Sequence, residues 1–227
     1  MALVNFVTPL HVASKRDYLA RMTAEKPECM RVAKKYGKDY WDGNRKYGYG
    51  GYKYDGRWKH AAKAIAKYYK LAVDDWIMDI GCGKGFLLYE FHKLGFKETI
   101  GVDTSNYAIK AAEKHFIESS EEFYMTAGWE VNSATYVPLW SNQIDFIYSI
   151  NVLHNLCYTE LKQAIKEMVR LGKQKMYICV ESYRNEDELY NLQCWALTCQ
   201  SFYSPDDWKE ILADNGYKGD VEFIYFP

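Results

Sequence analysis

At 227 residues the chain is long enough to bury one full hydrophobic core, with room for a further segment beside a single domain. Its net charge of −1 excludes a uniformly basic nucleic-acid binder, and its six scattered cysteines, with no Cys-x-x-Cys, give no support to a metal site. The charge is unevenly spread: Met1 to Lys70 carry 16 Lys+Arg against 6 Asp+Glu, and the remainder 13 against 24. The amino-terminal third therefore either faces something anionic or presents solvated basic helices. Cys82 in a glycine-rich turn and Cys179 in an apolar run point to free thiols in a reducing compartment. Residues 1–11 lack a basic region and are broken by Asn5, Pro9 and His11, and no later stretch reaches the length of a membrane span, so a cytoplasmic location is expected.

In chain order, residues 1–70 read as an amino-terminal helical cap and lid, and 71–227 as the core domain. The cap has a helical stretch from Ala13 to Tyr36. After it, Tyr47 to Trp58 packs four tyrosines, four glycines, Arg57 and Trp58 into twelve residues. From about Val73 strands and helices alternate, which predicts a layered α/β sheet. The apolar run Trp76-Ile77-Met78 is the first strand, and Asp79-Ile-Gly81-Cys82-Gly83-Lys84-Gly85 the turn that follows. Leu87, Phe91 and Leu94 then recur at helical spacing, with Gly95 as the stop. A second strand, Thr99 to Val102, ends in Asp103. Ser105 caps the next helix, whose inner face is Ala108, Ala111, Ala112, His115 and Phe116. A short strand is expected around Trp129-Glu130-Val131 and a buried one from Ile144 to Ile150. Leu161, Ala164, Ile165, Met168 and Val169 form a helix stripe. Met176 to Val180 is a strand ending at Glu181. Residues 182–203 are long for a loop, which signals a functional loop or an extra element. Ser204-Pro205-Asp206-Asp207 starts a last helix, which Gly216 ends, and Val221 to Phe226 alternates as the last strand.

The turn after the first strand is the most informative stretch. Three glycines at alternate positions remove Cβ atoms where a ligand must approach the backbone. Asp103, 24 residues after Asp79, is where the next parallel strand delivers a carboxylate to ribose hydroxyls. A dinucleotide fingerprint needs a third glycine at position 86, where this chain has Phe86. The form Asp-x-Gly-x-Gly-x-Gly, followed by Gly101-Val102-Asp103, resembles the class I S-adenosylmethionine-dependent methyltransferases, over roughly Val73 to Phe226. Fainter likeness in the amino-terminal third is to bacterial small-molecule methyltransferases.

The resemblance implies a Rossmann-like, doubly wound, seven-stranded and mostly parallel sheet, with Val221 to Phe226 as its antiparallel strand. It implies S-adenosylmethionine (SAM) as cofactor. Asp79 then anchors the ammonium and the Gly81-Cys82-Gly83 backbone meets the methionine and ribose, while Asp103 holds the ribose diol and Thr104 lines the adenine. An acidic residue that often holds the adenine amino group is absent, and Ser133 or Asn132 stands in its place. Asn151 opens a loop (residues 151–156) where the strand end meets both cofactor and substrate.

For the acceptor, His154 is a candidate general base or substrate ligand, or else a histidine satisfied by backbone groups. Glu181 is a candidate base, and Arg184, beside Tyr183, a candidate ligand for a substrate anion; a structural ion pair is the alternative. Tyr49, Tyr52 and Arg57 belong to a lid whose aromatic faces suit a cation, with Tyr36, Tyr40 and Trp41 extending the wall. Gln193-Cys194-Trp195 and Tyr203 either close the acceptor pocket or simply pack. There is no Asn/Asp-Pro-Pro-Tyr, no Pro-Cys nucleophile and no acidic cluster for Mg²⁺, which disfavours DNA, pyrimidine and metal-assisted methylation. The expected acceptor is a small anionic molecule, phosphorylated or sugar-linked, methylated on oxygen or nitrogen. RNA or protein methylation and a SAM-binding regulator without catalysis are the alternatives; a membrane partner is not expected.

Overall fold

In a computed structural model the described residues are 1–12, 16–118 and 128–227. Six strands form one sheet: β1 (Ile77–Ile80), β2 (Thr99–Asp103), β3 (Gly128–Val131), β4 (Ile144–Ile150), β5 (Gly172–Glu181) and β6 (Asp220–Ile224). Their order is β3-β2-β1-β4-β5-β6, and every neighbouring pair is parallel. Among the described residues the sheet therefore has six strands rather than the seven expected, and its last strand is parallel rather than antiparallel. The helix Pro205–Asp214 explains the direction. It carries the chain back along the sheet between β5 and β6, so the chain re-enters in its original sense, whereas an antiparallel neighbour follows from a hairpin-type return.

Five short helices precede the sheet: α1 (Thr8–Val12), α2 (Tyr18–Thr23), α3 (Lys26–Ala33), α4 (Lys38–Asp42) and α5 (Lys59–Tyr68). The helical stretch expected from Ala13 is thus divided, its first three residues lying outside the described ones. Glu25 takes φ +48° and Pro27 stands in the first turn of α3. Proline has no N–H to continue the preceding helix but suits a helix start, so the chain must begin again there. Between and after the strands come α6 (Phe86–Lys93), α7 (Asn106–Glu118), α8 (Tyr158–Leu171), α9 (Glu186–Trp195) and α10 (Pro205–Asp214). The long segment after β5 is therefore an extra element, α9, capped by Asn185, which accepts the Glu188 amide at 2.9 Å.

Side chains along the strands alternate between two apolar layers. Met78, Ile80, Ile147, Ile178 and Val180 pack with α8 and α10, whereas Ile77, Phe146, Tyr148, Tyr177 and Cys179 pack with α5, α6 and α7. Helices cover both faces, as an all-parallel sheet requires.

The chain's first residues lie along the outer edge of β6. Val4 N donates to Val221 O at 3.1 Å, and Val221 N to Ala2 O at 3.0 Å. Glu222, 1% exposed, turns its carboxylate toward the start of α1. It accepts from the amides of Phe6 (2.7 Å), Val7 (2.9 Å) and Thr8 (2.5 Å) and from the hydroxyls of Thr8 and Tyr177 (both 2.7 Å). Replacing Glu222 by Ala strands several of these donors. The expected cost is about 2–3 kcal/mol, measured as a lower urea midpoint with faster amide exchange at Val7 and Thr8.

Candidate active site

Parallel pairing brings the ends of β1, β2 and β4 to one edge, with Asp79 opposite both Gly101 and Tyr148. Ligands of open α/β sheets collect at this carboxyl edge. Asp79 is 5% exposed, and among the described residues no cation pairs with it. Burial pushes its carboxyl well above the usual range, with nearby Asp103 adding to the effect and the Tyr148 hydroxyl opposing it. Asp103 accepts the Gly83 amide at 2.8 Å on Oδ2 and the Ser105 amide at 2.7 Å on Oδ1. Burial raises its pKa, and these two amides work against the rise.

The glycines of the turn have a reason that spacing alone does not reveal. Gly81 (φ +82°) and Gly83 (φ +54°) are left-handed, which penalises any side chain. A Cβ on Gly81 would lie 2.1 Å from Val152, and one on Gly83 2.8 Å from the Trp41 ring. The bare backbone thus admits the protein's own Val152 and Trp41 as well as leaving a ligand surface beside them. Cys82, buried at the turn, has its thiol pushed well up by burial and by Asp103 and Asp79, and is inert as a nucleophile.

Two adjoining cavities of about 120 and 60 Å³ follow this turn. The first passes Asp103, Thr104, Asn132, Ser133 and Val152; the second passes Asp79, Cys82, Gly83 and Tyr52; Gly81 lines both. A third, of about 300 Å³, holds His154 and Glu181 with Arg16, Arg21, Arg45, Lys53 and Arg57. Tyr49 and Asn151 line all three. Asn151 has φ +58°, a conformation that asparagine tolerates better than most residues. Its amide donates to Cys179 O at 2.9 Å, and its carbonyl accepts from Asn155 Nδ2 at 3.2 Å. This left-handed non-glycine stands at the meeting point of the three cavities.

The amino-terminal segment builds the opposite wall. Trp41 stacks on Tyr49 at an interplanar angle of 2° and donates its Nε1–H to Ser105 Oγ at 2.9 Å. Lys84 of the glycine turn reaches both Asp42 oxygens at 2.7 Å and Tyr52 O at 2.8 Å. Asp42 also accepts the Tyr107 hydroxyl at 2.7 Å. This clasp holds the aromatic wall on the turn. Trp58 Nε1 donates to the Tyr52 hydroxyl at 3.0 Å, fixing a second ring of that wall. Nothing local in the sequence signals the clasp, because Asp42 and Lys84 are 42 positions apart.

In the third cavity the Glu181 amide donates to His154 Nδ1 at 3.2 Å. An amide can only donate, so Nδ1 is the acceptor and the ring proton sits on Nε2, 3.4 Å from Glu181 Oε2. Burial lowers the His154 pKa to about 3, so the ring is neutral. Burial raises Glu181 to about 7, against the pull of Arg16. Arg57 stands at this cavity but is held by Asp55, with its Nε 2.9 and 2.8 Å from the two carboxylate oxygens. Tyr183 and Arg184 line none of these three cavities. Arg184 pairs with Glu188 one turn along and lies 4.3 Å over the Tyr225 ring. Sequence reasoning did not single out Arg16, Arg21 or Arg45, for which the excess of basic residues before Lys70 was the available signal.

A family model described as a methyltransferase domain matches residues 73–216. No curated protein matches the chain. Among solved structures, the YcgJ protein of Bacillus subtilis is 19% identical, aligned over 69% of this chain and 67% of that one with a TM-score of 0.56. A SAM-dependent methyltransferase from Methanosarcina mazei is 22% identical over 66% and 82%, with a TM-score of 0.54. The cyclase SpnF is 15% identical over 87% and 70%, with a TM-score of 0.57. With the glycine turn and the β2 carboxylate in place, the matched domain identifies the chain as a class I SAM-dependent methyltransferase.

Proposed function

We propose that the two smaller cavities together hold SAM, and that the third holds a small anionic acceptor, phosphorylated or sugar-linked, methylated on oxygen or nitrogen. The observation that carries this reading is the meeting of all three cavities at Tyr49 and Asn151. One side of that junction is lined by the glycine turn, the other by five cationic side chains.

The residues fit the cofactor. Asp79, buried without a cation, is matched by the ammonium of the methionine part. Each Asp103 oxygen accepts one amide and keeps acceptor capacity for a ribose hydroxyl. Asn132 and Ser133 stand where the adenine edge belongs, beside Thr104. The stacked pair Trp41–Tyr49 offers aromatic faces to a cation. Bound SAM supplies an electrophilic methyl group on a sulfonium.

The chain's own work is alignment, exclusion of water and removal of a proton. Glu181 is the proton acceptor in this reading. His154 is a positioning residue: its Nδ1 is occupied by the Glu181 amide, and its Nε2–H faces the carboxylate. The segment carrying Trp41, Tyr49 and Tyr52 serves as the lid, clasped to the glycine turn through Asp42 and Lys84. Tyr183 and Arg184 have no part in it. A cavity of about 300 Å³ is sized for a small acceptor rather than for RNA or a protein chain.

Asp103→Ala is expected to weaken binding of S-adenosylhomocysteine by about 1–3 kcal/mol in calorimetry; unchanged affinity would remove Asp103 from the site. Turnover, followed as S-adenosylhomocysteine released with a panel of small phosphorylated metabolites, should rise as pH passes upward through about 7, where Glu181 loses its proton. Glu181→Gln should reduce that rate about 100-fold or more and flatten the profile. Normal cofactor affinity without methylation of any acceptor would point to a regulator instead.

A further inference from the structure

We propose that the acceptor is a phosphate monoester, and that its phosphate is held by Arg21 and Arg45 at the Trp195 end of the third cavity, with Arg16 beside them. The proposal rests on that cavity being the acceptor site.

Three guanidiniums gather on one indole. Arg16, Arg21 and Arg45 lie 5.4, 5.0 and 5.2 Å from the Trp195 ring centre. Packing against an aromatic face holds a guanidinium while leaving N–H donors at its edge for an anion. Arg21 is fastened by backbone carbonyls: Nη1 donates to Arg45 O at 2.7 Å and Lys46 O at 3.2 Å, and Nε to Trp195 O at 3.4 Å. Arg45 donates Nη1 to Gly48 O. These bonds fix both side chains and leave Arg21 Nη2 and Arg45 Nε and Nη2 for a ligand. Arg16 is aimed by His11: its Nη2 lies 2.9 Å from His11 Nδ1, and His11 Nε2 lies 3.1 Å from Tyr225 O. A carbonyl only accepts, so His11 Nε2 carries the proton and Nδ1 faces the guanidinium as an acceptor.

The charges of Arg21 and Arg45 lack a carboxylate partner among the described residues, and Glu181 is the one acidic residue lining the cavity. Burial and the neighbouring charge of Arg45 lower the Arg21 pKa to about 10. A group with three acceptor oxygens and up to two charges satisfies guanidiniums arriving from several sides, whereas a lone carboxylate is matched by a single fork. Arg16 also exerts its charge on Glu181. Arg16 and Glu181 line the same cavity, so the phosphate and the atom losing its proton belong within one small molecule.

The test is calorimetric titration of inorganic phosphate into protein saturated with S-adenosylhomocysteine, at constant chloride, with acetate as the comparison. Phosphate should bind more tightly than acetate, and Arg45→Gln should weaken it about tenfold while leaving S-adenosylhomocysteine affinity within about twofold. Arg21→Lys, which keeps the charge and loses the fork, decides the matter should Arg45→Gln disturb the fold; it should weaken phosphate about threefold or more. Unchanged phosphate affinity in these variants, or acetate binding as tightly as phosphate, overturns the proposal. So does short RNA binding far more tightly than phosphate with a steep salt dependence, which would assign the cations to a nucleic acid. Failure of the wild type to bind S-adenosylhomocysteine would strike the cofactor reading instead, and phosphate binding would still be measurable separately.

Discussion

Asp103 accepts the Gly83 amide on one oxygen and the Ser105 amide on the other, so one carboxylate joins the turn after β1 to the start of α7. Much of the site is indexed to that junction. It holds the turn in the left-handed backbone that lets the Trp41 ring lie against Gly83. Trp41 in turn donates to the Ser105 hydroxyl, which caps α7 by accepting the Ala108 amide at 3.1 Å. Tyr49 stacks on Trp41, and Lys84 draws Asp42 down onto the same turn. The aromatic wall is thus registered against the sheet edge by hydrogen bonds, not by apolar contact alone.

Unmatched charge separates into two districts. Asp79 is buried on the glycine-turn side without a cation, and Arg21 and Arg45 sit in the third cavity without carboxylates. Burial disfavours the charged form of Asp79 and lowers the pKa of half-buried Arg21, while Arg45 stays exposed. Such arrangements suit a partner that arrives from outside, and in the proposed reading the two signs correspond to two different ligand groups. Elsewhere the protein pairs its buried charges thoroughly. Glu222 is surrounded by donors, and Lys26 caps the C-terminal carbonyls of α9, reaching Cys194 O at 2.6 Å. That contrast argues that the site's imbalance is particular to the site.

Features carried by local pattern were legible in the sequence. The β1 turn, the end of β2 at Asp103, the Ser105 cap and the Ser204-Pro205 start of α10 each follow from a few adjacent residues and lie at the expected element ends. Features set by distant segments were not. The Asp42–Lys84 clasp and the gathering of arginines on Trp195 depend on how the first sixty residues return over the sheet. Arg184 shows the opposite case. It follows a strand end and so resembles a ligand-binding residue, yet Glu188, four positions on in the first turn of α9, already offers it a partner. The antiparallel last strand was an inference from family likeness, and the crossover helix α10 directs the chain otherwise.

The matched domain begins at residue 73, and every cation lining the third cavity precedes it. In the proposed reading, the residues that hold the donor nucleoside lie mainly in one stretch of the chain, and the cations that face the acceptor lie in another. The two meet at the Asp42–Lys84 clasp, at Trp41 and at Tyr49 and Asn151. In that reading, substitutions at the upstream arginines bear on which molecule is admitted, whereas substitutions at Trp41 or Tyr49 bear on the nucleoside cavities as well.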